Sequence, residues 1–371
     1  MPPTMLPGPE TSIQNVDNNV RGMDANVYEL EPNVSPLVSL SNAMGSVSSD
    51  NPKAEWLEDE SLPRITTLSA SALASATTFN VTADIFRVGD VVRFSGLGWG
   101  FLVTATATGT ASGTIIGTQT SAAAAAELYL VSNANQEGGT LREIKILQLV
   151  TQFNYCEIVR TPFGVTTTEL GTLHYGGDER ARLSKKFGME HARSIEQIAF
   201  FGLRGINGTT RTAGGLLSYI ASNVTADTGG LTVGDWETFL QKAFRYGSDT
   251  KVAYCSPAVI AAIEGFARNN LRVSNDTAST YGVKMSTYIS GQGEVHLVKH
   301  KDWYDSTIYN GYCFLVDMDA IRLRPLRNVG GTRLLKDRQA PDYDGVKDEY
   351  RSETCLQVMH ERRHALLTGV T

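Results

Sequence analysis

The sequence predicts an α+β fold. Three stretches carry that prediction: a charge-poor series of short β-like runs, one long charged helical segment, and a later region where helical and strand patterns alternate. Between Thr66 and Ser132 the only charged residues are Asp84, Arg87, Asp90, Arg93 and Glu127. Apolar runs at 78–81, 90–94, 101–104, 114–116 and 127–131 are mostly separated by glycine-containing breaks, which predicts a small β-barrel or sandwich of about five strands. The change in composition over 66–132 suggests a module inserted into a host chain. Within it, 122–126 reads as a helical turn or linker. Gly96-Leu97-Gly98-Trp99-Gly100 reads as a β-turn carrying an exposed aromatic.

The long helix is justified by nine charges in the 19 residues from Asp178 to Glu196, with Leu183, Phe187, Ile195 and Ile198 on an apolar stripe that also takes in His191. Asp178 is the expected N-cap and Gly202 the expected stop. From 214 to 325 a compact α/β region is expected. Thr232-x-x-Asp235 has the form of a capping box, and Trp236, Phe239, Leu240, Ala243 and Phe244 mark the buried face of the helix it opens, which Gly247 closes. Lys251–Cys255 reads as a strand. Ser256-Pro257 opens a second helix with Ile260, Ile263 and Phe266/Ala267 inward. A hairpin follows, 283–289 and 295–298 around Gly291-Gln292-Gly293, then strands at 312–316 and 321–324. The tail from Lys336 to Arg363 holds 13 charges in 28 residues, interleaved with strand-like apolar positions.

With 371 residues, 42% of them apolar, the chain can bury a core, so a wholly disordered protein is excluded. The net charge of −6 disfavours a strongly basic nucleic-acid binder. No apolar run approaches the ~20 residues of a membrane helix, and Met1-Pro2-Pro3-Thr4-Met5 has neither the basic nor the apolar region of an export signal. Cys156, Cys255, Cys313 and Cys355 are widely spaced with no CxxC pair, and read as reduced, buried thiols.

Chemical motifs are sparse. His360-Glu361-Arg362-Arg363-His364 fits the H-E-x-x-H zinc pattern. Only seven residues follow, none a side-chain zinc ligand, and the segment reads as the end of an exposed basic strand. The glycine-rich 96–100 segment precedes no helix, so it supports neither a dinucleotide nor a phosphate loop. Asp317 and Asp319 fit a turn better than a catalytic pair. Arg180, Arg182, Lys185 and Lys186 form a basic cluster that suits a solvated helix face, an acidic neighbour or nucleic-acid phosphates. The absence of a convincing catalytic constellation favours a structural role, with no catalytic residue, metal or cofactor expected.

The order of segments resembles the major capsid proteins of tailed double-stranded DNA bacteriophages, with the fold named after phage Hong Kong 97. Glu55-Trp56-Leu57-Glu58-Asp59-Glu60 with Leu62-Pro63 resembles the ascending side of that family's extended loop. Asn133-Ala134-Asn135-Gln136-Glu137-Gly138 resembles the exit from a domain inserted there in a podophage-like subgroup, and Arg160-Thr161-Pro162-Phe163 the descending side. Residues 178–201 resemble the spine helix of the peripheral domain, Thr212-Ala213-Gly214-Gly215-Leu216 the entry to the axial domain, and 334–344 with the following β tail the subgroup's C-terminal end.

The resemblance implies an N-terminal arm (1–52), extended loop (53–65 and 149–175), inserted β domain (66–148), spine-helix region (176–213), axial domain (214–325) and peripheral β tail (326–371). It implies self-assembly as hexamers and pentamers into an icosahedral head around packaged double-stranded DNA, held non-specifically. Portal, scaffolding and decoration proteins are the further implied partners, no membrane is involved, and assembly is placed in the host bacterial cytoplasm. Intersubunit contacts are expected at Trp56, Glu58, Asp59, Glu60, Arg180, Arg182, Lys185 and Lys186, with the acidic run of one subunit meeting the basic helix cluster of the next. An encapsulin-like shell, a glycan-binding decoration or tail protein displaying Trp99, and a zinc hydrolase using His360 and His364 are the alternatives.

Overall fold

Residues 35–43, 46–139, 141–174, 177–227, 229–269, 273–274, 279–280 and 283–370 are described by a computed structural model. Most of the expected arm, 1–34, lies outside the described residues, as do the side chains of Phe266 and Ala267. The chain divides into two units, Leu57–Gln152 and the remainder, Met1–Trp56 with Phe153–Thr371. The strands Lys53–Glu58 and Val150–Tyr155, at the two points where the chain passes between units, pair with each other.

The Leu57–Gln152 unit is a six-stranded antiparallel sheet in the order Ile65–Thr67, Glu127–Asn133, Asp90–Phe94, Gly100–Ala107, Thr110–Ile116, Thr78–Asn80. Ile65–Thr67 is a strand beyond the five apolar runs. Phe79, Phe94, Trp99 and Phe101 pack together with centroid separations from 4.2 to 6.0 Å, giving this unit a core of its own. Two local expectations fail. Trp99 is buried (2% exposed), because the Gly96–Gly98 turn folds it back over Phe94 and its Nε1 donates to Thr120 Oγ1. The turn depends on Gly100, where an added Cβ would fall 2.2 Å from the Val92 carbonyl oxygen. The 122–126 run is a β-bridge at Ala122, paired with Ala72, followed by a turn in which Ala125 has φ 63°.

Among the described residues the other unit holds two large sheets and a two-stranded one, Gly205–Asn207 with Thr210–Thr212. The first large sheet runs in the order Val224–Ala226, Ala365–Thr368, Cys313–Val316, Thr250–Cys255, Glu294–Lys299, Val283–Ile289, Val273–Ser274. Thr250–Cys255 lies parallel to Glu294–Lys299, and Val224–Ala226 lies parallel to Ala365–Thr368. Helix Val233–Ala243 packs Trp236, Phe239, Leu240 and Ala243 against this sheet, opened by the Thr232–Asp235 capping box. The second sheet is built on Gly345–Val358, flanked on one edge by Glu157–Thr166 and on the other by Ile321–Pro325 and Arg333–Leu335. The expected β tail is therefore divided: 345–358 belongs to this sheet, and Ala365–Thr368 crosses to the first.

The long helix spans Glu179–Phe201, with Asp178 accepting from Arg180 N–H at its start and Gly202 at its end. Its inner face buries Ile195, Ala199 and Phe200. His191 on that stripe is held between Thr161 Oγ1 (2.9 Å) and Ser352 Oγ (2.7 Å), and burial depresses its pKa. Among the described residues no helix is long and apolar enough to cross a membrane.

Candidate assembly surfaces

The basic cluster on the long helix is partly used inside the chain. Arg180 forms a bidentate pair with Asp348 (Nε to Oδ2 2.8 Å, Nη2 to Oδ1 2.7 Å) and also reaches Asp337 at 3.0 Å. Its guanidinium hydrogen bond is the largest influence holding the Asp348 carboxyl below the usual range. Arg182 pairs with Glu179 one turn away, Nε to Oε2 at 2.8 Å. Arg180 therefore ties the helix to the strand that carries Asp348, and Arg182 pairs within the helix itself, while Lys185 and Lys186 are exposed. Of the acidic run, Asp59 and Glu60 are exposed and Glu58 half-buried. Trp56 is only 9% exposed and lies 6.1 Å from Tyr219, ring to ring.

Among the described residues a run of exposed aliphatic side chains lies in 141–150, which the sequence reading did not single out. Leu141, Ile144 and Ile146 are 91%, 72% and 83% exposed, and Leu149 and Val150 are also open. The side chains of Arg142 and Lys145 point the other way. Arg142 pairs with buried Asp90, Lys145 Nζ donates to Phe86 O at 2.6 Å, and Arg87 Nη2 donates to Lys145 O at 2.9 Å. Charged groups thus hold the segment down while its aliphatic side chains face water, the reverse of a surface evolved for solvent. The signal was present in the sequence as six aliphatic residues in ten, Leu141, Ile144, Ile146, Leu147, Leu149 and Val150, outside any strand or helix pattern.

The described end of the arm is anchored, not loose. Helix Pro36–Ala43 starts with a proline, which needs no hydrogen-bond partner, and its next two N–H groups donate to Glu196 of the long helix, Leu37 at 2.8 Å and Val38 at 2.7 Å. Glu196 is fully buried, as are Leu37 and Val38 in the core beneath it. His300 Nε2 sits 3.6 Å from Glu196 Oε1, and its ring stacks on Trp303 at 4.4 Å. A carboxylate 158 residues from Val38 does the work of an N-cap, a partnership with no local sequence signature.

The H-E-x-x-H residues do not form a metal centre. Glu361–Arg363 is a 3-10 turn between two strands, not a helix or an exposed strand end. His360, at φ 51°, stands on one side of it, and His364 is buried on the other with Nδ1 accepting from Asp317 N–H. Glu361 accepts from the Ala221 and Ser222 N–H groups, which with the Ser222 hydroxyl offset its burial and hold its pKa low. Arg363 donates through both Nε and Nη2 to one oxygen of Asp317, Oδ2, which also accepts from Ser248 N–H, so Asp317 closes a structural junction. Among the described residues no group of three or more His, Cys, Asp or Glu is placed to hold a metal. Lys251, in the same junction, donates to the carbonyls of Ala243, Tyr246 and Arg363, and burial lowers its pKa to about 8.

The comparisons with known proteins agree with this picture of a structural chain. Solved structures match it nearly end to end at very low identity. One from Mycobacterium phage Bobi has a TM-score of 0.54 at 7% identity, covering 97% of this chain and 99% of its own. The capsid of the native GTA particle gives 0.51 at 11% identity, covering 98% and 100%. At such identities these likenesses show the fold, the Hong Kong 97-like capsid fold, and nothing finer. A search of curated proteins finds no match. The model of the SU10 major capsid protein family matches residues 10–371, so this chain belongs to that family, a structural protein that self-assembles into the shell of a virion.

Proposed function

We propose that this chain forms the hexamers and pentamers of an icosahedral phage head that encloses double-stranded DNA. The family match supports the shell, and the observation that carries the finer reading is the outward aliphatic face of 141–150. Polar contacts within its own unit hold that face in place, and it has a use only when a neighbouring copy covers it. The net negative charge suits a container that holds packaged DNA without tight binding. A scaffolding protein, a portal and decoration proteins are its other partners, and assembly occurs in the host bacterial cytoplasm. An arrangement in which Lys185 and Lys186 face Glu58, Asp59 and Glu60 of the next subunit sets the register of neighbours. Negative-stain electron microscopy of the protein, alone and with its neighbouring genes supplied, tests this reading. Closed shells or rings of five and six support it. A monodisperse monomer under both conditions overturns it, and closed shells that co-purify with enzyme cargo and no DNA point to a cellular compartment instead.

A further inference from the structure

The four cysteines, scattered in sequence, come together in the structure as two pairs, and the pairs share a geometry. Cys255 and Cys313 are direct partners on the antiparallel strands Thr250–Cys255 and Cys313–Val316, with sulfurs 3.1 Å apart. The neighbouring rung, Ser256 with Tyr312, carries a backbone hydrogen bond (3.1 Å), so the cysteine rung is a non-hydrogen-bonded one, where facing side chains lie closest. Cys156 immediately precedes strand Glu157–Thr166, whose terminal rung pairs Glu157 with Thr354; one step further, Cys156 faces Cys355. Their sulfurs are 3.5 Å apart. This rung is also free of its own ladder bonds, because Cys156 N–H donates to Pro52 O and Cys156 O accepts from Arg211 Nε. All four residues are buried and reduced.

We propose that Cys156 and Cys355 are an oxidation site: a small-molecule disulfide converts them to an intrachain disulfide, while Cys255 and Cys313 remain thiols. The Cys156 thiolate attacks one sulfur of the small disulfide, giving a mixed disulfide and releasing one small thiol. The Cys355 sulfur then attacks Cys156 and expels the second. Two protein thiols lose two electrons and two protons in all, one S–S bond forms, and the small disulfide leaves as two thiols. The facing-strand position already brings the sulfurs within about 1.5 Å of bonding distance, so a side-chain rotation closes the gap.

The two pairs differ in their surroundings, and that gives the selectivity. A Cys156 thiolate would accept the Cys355 S–H, which together with the guanidinium groups of Arg211 and Arg324 outweighs burial and the Glu353 carboxylate and holds its pKa below the usual thiol range. Cys355 is pushed well above that range, first by its hydrogen bond to Cys156 and then by burial, so Cys156 is the attacking sulfur of its pair. Full burial likewise pushes Cys255 well above it. The pair also sits in a small satellite cluster with Ala54 and Ala213, whereas Cys255 and Cys313 lie within the large core beneath helix Val233–Ala243. The bond would close a loop joining residues 199 apart, which spans the long helix and the strands of the first sheet other than Ala365–Thr368. This inference rests on the capsid reading only for its occasion, the passage of a shell from a reducing host to an oxidising exterior.

Thiol mapping tests it on assembled particles or on the free chain alike. The protein is incubated with oxidised glutathione, denatured in N-ethylmaleimide without reductant, digested and analysed by mass spectrometry. The expected result is two alkylated cysteines, Cys255 and Cys313, and one linked peptide joining 156 to 355. Oxidation should also raise the unfolding temperature by about 5–10 °C, reversibly with dithiothreitol, and Cys156→Ser should abolish the rise. Alkylation of all four thiols, a link at 255–313 alone, or links only between chains each overturns the proposal. The mapping needs no variant, so a folding defect in Cys156→Ser does not rescue it. Shell formation, read separately by microscopy, distinguishes failure of this proposal from failure of the capsid reading.

Discussion

Replacing Glu196 with glutamine keeps the shape of the side chain and removes the charge that holds the arm helix. In the native chain two N–H donors, from Leu37 and Val38, end on one buried carboxylate at 2.8 and 2.7 Å. A glutamine oxygen can accept one of them, at about 1 kcal/mol less than a charged acceptor provides. The other N–H then faces an NH2 group and is left buried without an acceptor, at about 1–3 kcal/mol. Losing a negative charge at a helix N-terminus costs about 0.3–1 kcal/mol more. The opposing term is the desolvation of the carboxylate, which the variant no longer suffers. A net loss of about 2 kcal/mol is expected, against about 3–6 kcal/mol from burying Leu37 and Val38. The helix should therefore stay docked on average but open about 30-fold more often. Hydrogen exchange of the peptide covering 35–43, read by mass spectrometry, measures that opening directly. Glu196→Asp, which keeps the charge on a shorter stem, should fall between the two. Unchanged exchange at 36–43 in Glu196→Gln, with the core equally protected, would refute the claim that this carboxylate caps the arm.

The His364 imidazole is buried neutral and its pKa is lowered to about 4, first by burial and then by the nearby Lys251 ammonium. The unfolded chain takes up a proton near pH 6.5 that the folded chain refuses until about pH 4, so stability should fall across that window by about 3 kcal/mol. Urea midpoints at pH 7 and pH 4.5 should differ less in His364→Gln than in the native protein, and an equal drop in both would remove His364 as the cause. Trp99→Ala should cost the Leu57–Gln152 unit about 3–5 kcal/mol, because it empties the centre of its aromatic cluster, and a melting profile that leaves this unit unchanged would contradict the packing described. Glu58→Lys should impair assembly and a compensating Lys186→Glu should restore it. An exposed pair contributes only about 0.2–1 kcal/mol, but every subunit of a shell repeats it, and normal particle yield in Glu58→Lys would sink the idea.

What could be read from the sequence is what the chain decides locally. Asp178, Gly202 and the Thr232–Asp235 box act within a few residues of themselves, and each caps the helix its spacing implied. The β-rich stretch was visible for the same reason, through period-two runs and glycine breaks, although Ile65–Thr67 was too short to stand out. Apart from the two local failures at Trp99 and 122–126, the misses share one cause, partners far apart in the chain. Glu196 looked like one more charge on a charged helix until Leu37 and Val38 arrived from 159 and 158 residues away. Cys156 and Cys355 are 199 residues apart, and only the strand register makes them neighbours. Arg180 counted as a free basic residue because Asp348, its acceptor, lies on a strand 168 residues later. The H-E-x-x-H match shows the converse. A spacing of four places two histidines on one face only if a helix carries them, and here a 3-10 turn between two strands sends His364 into the core and leaves His360 outside it. Spacing therefore carries chemical meaning only together with the element that bears it. In this chain that element is fixed by partners well over a hundred residues away, and the outward aliphatic side chains of 141–150 extend the same logic to contacts made by another copy of the chain.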